Sequence, residues 1–220
     1  MMTIRPIVIL GTGGNCIDIL DTINDINAIQ LKYECVGFLD DNPDHWGQRI
    51  AGLPILGPLP TAKDLPPSHF IVNGIGSPRN FWEKESILAK TKVGIEKFET
   101  IIHPTAHISK MSDIGRGTVI FQNVTITSNV KIGEHVIILP NTVISHDDII
   151  GDYSCIAGGV CISGVVAIGK SCYIGTNSSI KQNVSIGDFS LVGMNSAVLR
   201  DVPKNNVVVG NPAKFLRYTR

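Results

Sequence analysis

The chain has 220 residues, with 19 basic and 19 acidic side chains and a formal net charge of zero. That balance, without any basic run, argues against a broad nucleic-acid surface or a polybasic membrane surface, and no apolar stretch reaches the roughly 18 residues that span a bilayer. Five cysteines without paired metal-type spacing fit a reducing compartment, with the cytoplasm as default, better than a disulfide framework.

The length accommodates two modest cores, and a break near residue 100 gives halves of similar size, 1–100 and 101–220. The opening, MMTIRPIVILGTGG, lacks an extended leader and a cleavage site and reads as a first buried strand. Pro6 to Leu10 is a β-branched apolar run ending in Gly11, Thr12, Gly13 and Gly14, and Ile17, Leu20 and Ile23 follow at helical spacing. Strand, glycine turn and helix in that order bring backbone N–H groups and a helix N-terminus to a phosphate. The dinucleotide fingerprint is only partly met, because Cys16 stands where its third glycine would be, and a turn that serves the fold alone is the alternative. NAD-dependent oxidoreduction is disfavoured, since the chain beyond the turn is too short for a full dinucleotide fold.

A second strand, Tyr33 to Leu39, ends in Asp40, Asp41, Asn42 and Pro43. Carboxylates there can accept hydrogen bonds from the base or sugar of a ligand on the glycine turn, or cap a turn before proline. The segment from Ile50 to Pro67 reads as turns around a brief edge strand. A third strand, His69 to Val72, delivers a second glycine turn, Asn73 to Ser77, and a helix is expected from about Arg79 to Lys92. Two glycine turns and an acidic strand end on one side of a small parallel sheet make a nucleotide crevice.

From Ile102 the chain changes character. Isoleucine recurs every six residues through Ile186, and Val192 and Val198 continue the series without insertion or deletion. At about 100° per residue a helix would rotate successive isoleucines by roughly 240°, so helix is excluded, whereas six is a multiple of the strand period of two. Such hexads are the signature of a parallel β-helix. The position four after each isoleucine is small or β-branched everywhere except Asp148, as a second inward slot requires. Glycine follows isoleucine at 115, 133, 151, 169 and 187, so three hexads make one triangular turn. A structural solenoid without chemistry is the plain alternative.

Within this coil, Thr142 to Gly151 holds the one conjunction of a histidine with two acids: His146, Asp147 and Asp148. A neighbouring carboxylate orients an imidazole and stabilises its protonated form, which suits a general base. His103 and His107 are four apart where the coil begins rather than on a helix, which makes no zinc site.

The order GTGG, GFLDDN, GIGS and then the hexad coil resembles the sialic acid O-acetyltransferase and nucleotide-aminosugar N-acetyltransferase family, which includes the bacillosamine and perosamine N-acetyltransferases. The resemblance implies an α/β Rossmann-like amino-terminal domain followed by a left-handed parallel β-helix, and a cytoplasmic acetyltransferase that uses acetyl-CoA and no metal. It implies that Gly13, Gly14, Asn15, Asp40, Asp41, Gly76 and Ser77 hold a nucleotide-linked amino sugar. Some relatives have a basic residue at the position of Phe81, for which Arg79 is the nearest substitute. His146 and Asp147 fall on the family's base and acid partner. Cys155 stands where many relatives have a second histidine near the acetyl group. Gly164 and Gly175 match acetyl-CoA contacts, and the ending NPAK, with Asn211 and Lys214, matches the segment near the CoA nucleotide. The family is homotrimeric with active sites between subunits. The expected reaction is N-acetylation of a UDP- or GDP-linked 4-amino sugar for a surface glycan, with sugar O-acetylation and a catalytically inactive nucleotide-binding protein as alternatives.

Overall fold

The first apolar run forms strand β1 (Arg5–Leu10), in which Ile7, Val8, Ile9 and Leu10 are fully buried, as befits a central strand of a parallel sheet covered on both faces. The computed structural model describes residues 4–220; residues 1–3, the start of the expected opening segment, lie outside them. Helix α1 (Gly14–Ile29) leaves the glycine turn directly and buries Cys16, Ile19, Leu20 and Ile23. Strand β2 (Tyr33–Leu39) follows, then an antiparallel edge pair, β3 (Arg49–Ile50) and β4 (Leu53–Gly57), and finally β5 (Phe70–Asn73).

The strand order is β3-β4-β2-β1-β5. After β1 the chain builds outward through β2 and β4, then returns to place β5 on the other side of β1. The order therefore reverses between β1 and β5, at whose carboxyl ends both glycine turns emerge, and a switch point of this kind opens a crevice.

The helix expected over Arg79 to Lys92 is much shorter. A 3-10 turn at Phe81–Glu83 precedes α2 (Lys84–Ala89). Asn80 Oδ1 accepts hydrogen bonds from Ser77 N–H and Ser77 Oγ, and Ser77 Oγ accepts from Arg79 N–H. These local bonds compete with helix formation at its start, and Lys92, at φ +55°, lies past its end.

The coil runs from Ile101–Ile102 to Ala197–Val198 in two-residue strands, one per hexad. Each, through Ser179–Ile180, pairs in parallel with the strand 18 residues on, as Ile120 does with Ile138 and Ile138 with Ile156, so three sheets form the walls of a prism. The ladder isoleucines from Ile120 onward make one continuous core. Ile102 departs from the pattern: it is 38% exposed while Ile101 is buried, because no earlier coil covers the first rung. From Ile114 through Val192 the third residue after each ladder position takes a left-handed conformation, including Asn123, Asn129, Asn141, Asp147, Val165, Asn177, Asn183 and Asn195. Asparagine and aspartate tolerate that conformation best among residues with a side chain.

At its far end the core is closed by Val202, Val208 and Ala213. The tail strand Asn206–Val209 adds in parallel to Leu191–Val192 and turns back as Lys214–Tyr218. The two halves share a second core in which Ile7, Cys16 and Phe38 pack with Ile101, Phe121, Ile137 and Cys155. The Lys84 ammonium is buried at this junction and donates to the carbonyl of His135 at 2.5 Å, and His103 bonds Asp25 at 2.9 Å.

Position along the ladder decides the effect of truncation. Ile156→Ala, in the fully buried middle, is expected to lower stability by about 2–5 kcal/mol, and Ile102→Ala by about 0.5 kcal/mol, the range of surface changes. Denaturant midpoints of the two variants, compared side by side, check this.

Candidate active site

The switch-point crevice encloses about 480 Å³ and is lined by Gly13, Gly14, Asn15, Asp40, Asp41, Gly76 and Ser77. Asn15 Nδ2 donates to the Gly76 carbonyl at 3.0 Å, tying the two glycine turns together. Helix α1 opens at Gly13 with no side-chain cap and no acid in its first turn, so its free N–H groups and positive end face the crevice.

The two carboxylates differ from the sequence expectation in their availability. Asp40 Oδ2 accepts from Thr12 Oγ1 at 2.7 Å and its Oδ1 accepts from Asn42 N–H at 2.8 Å. Asp41 Oδ1 accepts from Leu59 N–H at 3.0 Å and its Oδ2 from Lys90 Nζ at 2.8 Å. Burial works to raise the Asp41 carboxyl, but the bonds from Lys90 and Leu59 outweigh it and hold it below the usual carboxylate range. Both acids thus form the wall of the crevice with protein donors already on them. Arg79 is exposed and is not among the lining residues; the cation that lines the crevice is Lys90, together with Asn80 and Ile87. Sequence reasoning missed these three, since nothing in a lone lysine or asparagine marks it as facing a distant glycine turn.

His146 stands on a coil corner, about half exposed, with Nδ1 2.8 Å from Asp147 Oδ2. Asp147 occupies the left-handed slot at φ +62° and also accepts from Asn129 Nδ2 at 3.2 Å. Its carboxyl is held below the ordinary range by the hydrogen bond from His146 first and that from Asn129 second. With Nδ1–H given to Asp147, Nε2 is the ring nitrogen left with a free lone pair. Gly164 lies directly against that nitrogen: a Cβ built there would sit 2.5 Å from Nε2.

The two adjacent acids have separate positions. Asp147 meets the imidazole at the surface, whereas Asp148 is fully buried inside the prism, its Oδ1 accepting from Val166 N–H at 2.7 Å. Burial is the main cause that pushes the Asp148 carboxyl up to about 7.

Other expected contacts lie apart from this corner. Cys155 is buried in the junction core, where burial drives its thiol up to about 11, so its replacement of a histidine puts no exposed group there. Gly175 is buried against the next coil, and a Cβ would sit 2.6 Å from Met194 N; close backbone packing accounts for that glycine. Asn211 and Lys214 are exposed in the closing tail. Among the described residues no cluster of metal-ligating side chains occurs, and no helix is long and apolar enough to cross a membrane.

Residues 6–82 match the family described as the PglD N-terminal domain, and residues 111–146 match the bacterial transferase hexapeptide (six repeats). The acetyltransferase domain of PglB from Neisseria gonorrhoeae FA1090, solved in complex with acetyl coenzyme A, is similar at 25% identity and TM-score 0.81, over 97% of this chain and 100% of that one. WeeI from Acinetobacter baumannii AYE is similar at 27% identity and TM-score 0.81, again over 97% and 100%. PerB from Caulobacter crescentus, in complex with CoA and GDP-perosamine, shares the fold at 24% identity and TM-score 0.78, over 99% and 100%. A comparison with curated protein sequences returns no match.

A Rossmann-like domain joined to a left-handed β-helix of hexapeptide repeats defines the class: the chain is a hexapeptide-repeat acetyltransferase. Within that class its amino-terminal domain matches the PglD N-terminal domain family, and along its length the chain is similar to the PglB acetyltransferase domain and to WeeI.

Burial also sets thiol chemistry. Cys16, Cys155 and Cys172 are buried, with thiols pushed up to about 12, 11 and 12, while Cys161 is exposed. Since the thiolate is the reactive form, brief alkylation of the native protein near pH 7.5 is expected to label Cys161 first and to leave Cys155 unmodified, as read by peptide mass spectrometry.

Proposed function

We propose that the chain transfers the acetyl group of acetyl-CoA to the amino group of a nucleotide-linked sugar, a UDP- or GDP-4-amino-4,6-dideoxyhexose destined for a surface glycan. The observation that carries this reading is the His146 imidazole, with Nδ1 on Asp147 and Nε2 unengaged above Gly164, on the same chain as a crevice between two glycine turns.

In this reading the diphosphate lies at the uncapped start of α1, with Lys90 as the cation within reach. The amine is largely protonated at neutral pH and attacks only as the free base. His146 Nε2 takes the proton lost as the amine nitrogen bonds to the thioester carbonyl carbon. The carbon–sulfur bond then breaks, and the proton passes to the departing thiolate, which leaves as CoA thiol and returns the imidazole to its starting state. Asp147 holds the tautomer that keeps Nε2 available and stabilises the transient imidazolium. Asn211 and Lys214, in the closing tail, are assigned to the CoA nucleotide; Cys155 and Gly175 take no part. A homotrimer covers exposed β-branched side chains on the coil, among them Ile149 and Val165, and brings His146 to acetyl-CoA held partly by a neighbour. The site of action is the cytoplasm.

Incubation with acetyl-CoA and a panel of UDP- and GDP-linked 4-amino sugars, read by mass spectrometry, is expected to give one preferred N-acetylated product. No N-acetyl product from any member, or acetyl transfer only to a sugar hydroxyl, contradicts the proposal. Without acetyl-CoA binding in calorimetry, the chain would be a nucleotide-binding structural protein instead.

Two variants test the geometry. His146→Ala and His146→Asn should lower kcat about 100- to 10,000-fold, the range for loss of a general base. Gly164→Ala should displace the imidazole and lower kcat about 10- to 100-fold, with a circular dichroism spectrum and melting curve close to wild type, because the group that must yield is a side-chain ring rather than backbone.

A further inference from the structure

Asp148 breaks the rule of its slot, and the rule itself says what it does there. On two of the three walls, that of Ser112 and Asp148 and that of Thr118 and Ser154, a hydroxyl in the second inward position makes two bonds to the next coil; on the third wall Thr142 and Ser178 do not, Ser178 donating only to Gly175 in its own coil. Ser112 Oγ donates to the carbonyl 15 residues on, Thr127, and accepts from the N–H 18 residues on, Val130. Thr118 does the same with Gly133 and Val136, and Ser154 with Gly169 and Cys172. Asp148 makes the second bond in register, from Val166 N–H. The donating half is not made: Asp148 Oδ2 is buried without a hydrogen-bond partner, and the carbonyl at the matching offset is that of Ser163; the backbone N–H groups of Val166 and Ser145 favour the ionised carboxyl, and burial outweighs both. An ionised carboxylate would bring two acceptors together there, whereas a carboxylic acid supplies the O–H the slot requires.

The turn that these bonds would hold, Ser163 to Val166, is the one on which His146 rests. Gly164 touches the imidazole, Val165 N–H donates to the His146 carbonyl at 2.9 Å, and Val165 is held at φ +62°, a conformation that disfavours a β-branched side chain.

We propose that Asp148 is a positioning residue for the transfer reaction, a neutral carboxylic acid that accepts from Val166 N–H and donates to the Ser163 carbonyl, and so clamps the turn beneath His146. The proposal rests on the reading of His146 as the base. Burial raises the Asp148 carboxyl to about 7, so the clamp is closed below neutrality and opens as the group ionises. The charged groups that act on Asp148 are His146 and Asp147 on its own turn. The turns packed against it, residues 128–130 and 163–166, contribute Ser128, Asn129, Val130, Ser163, Gly164, Val165 and Val166, none of which titrates.

The test uses the full-length enzyme and the variants Asp148→Asn, Asp148→Ser and Asp148→Val. Infrared difference spectroscopy at pH 6 should show a protonated carboxylic acid C=O band that is lost in Asp148→Asn. The wild-type kcat should fall as pH rises through about 7, and this descending limb should vanish in Asp148→Asn and Asp148→Ser, which keep a neutral donor and near-normal kcat below neutrality. Asp148→Val, which can neither accept nor donate, should lower kcat about tenfold with KM for both substrates unchanged. Absence of the band, a descending limb that persists in the Asn and Ser variants, or a Val variant as active as wild type would overturn the proposal. If His146→Ala proved fully active, the base assignment would fall, and the positioning role with it, while the infrared band would still report separately on the protonation of Asp148.

Discussion

The carboxyl-terminal half of the molecule depends on an 18-residue register in which the strand N–H groups bond carbonyls one coil away. The buried isoleucines hold that register through apolar burial, and a slip of one residue would turn the whole ladder outward. Because corners stack as faithfully as strands, the Ser145–Asp148 corner lies directly over the one at residues 163–166. The corner that carries His146 is thus an ordinary rung with different side chains, held by the coils above and below it.

This arrangement divides two neighbouring acids by parity alone. Asp147, in the left-handed slot, points to solvent and meets the imidazole; Asp148, one residue on, points into the prism. The amino-terminal domain is organised by a different constraint, the reversal of strand order between β1 and β5. That reversal sets two glycine turns face to face, and the shared core around Ile137 and Cys155 fixes the domain against one wall of the coil.

The coil was legible in the sequence because a fixed period is arithmetic, and its inward slots followed from strand parity. The left-handed slot was equally visible, as asparagine at 123, 129, 141, 177, 183 and 195, but an apolar ladder draws attention away from polar turn residues. Parity also assigns Cys155 an outward direction, and the sequence has no way to say that this wall is covered by the other domain. The helix expected over Arg79 to Lys92 shortens to Lys84–Ala89 because local side-chain bonds at Ser77 and Asn80 compete with helix nucleation. The crevice was legible in its glycines, which announce themselves by backbone need; Lys90 and Asn80 reach it from segments whose placement only the fold determines. Asp40 and Asp41 line the crevice at the end of β2, while their internal partners, Thr12 and Lys90, depend on contacts the sequence does not record.

The central claim is that the crevice and His146 serve one substrate at once. A ternary crystal structure with CoA and an amino-sugar nucleotide tests it most directly. The account predicts the diphosphate at the start of α1 and the sugar amine about 2.6–3.2 Å from a His146 Nε2, on the same chain or a neighbouring one. A nucleotide bound outside the two glycine turns, or an amine remote from every His146, would contradict it.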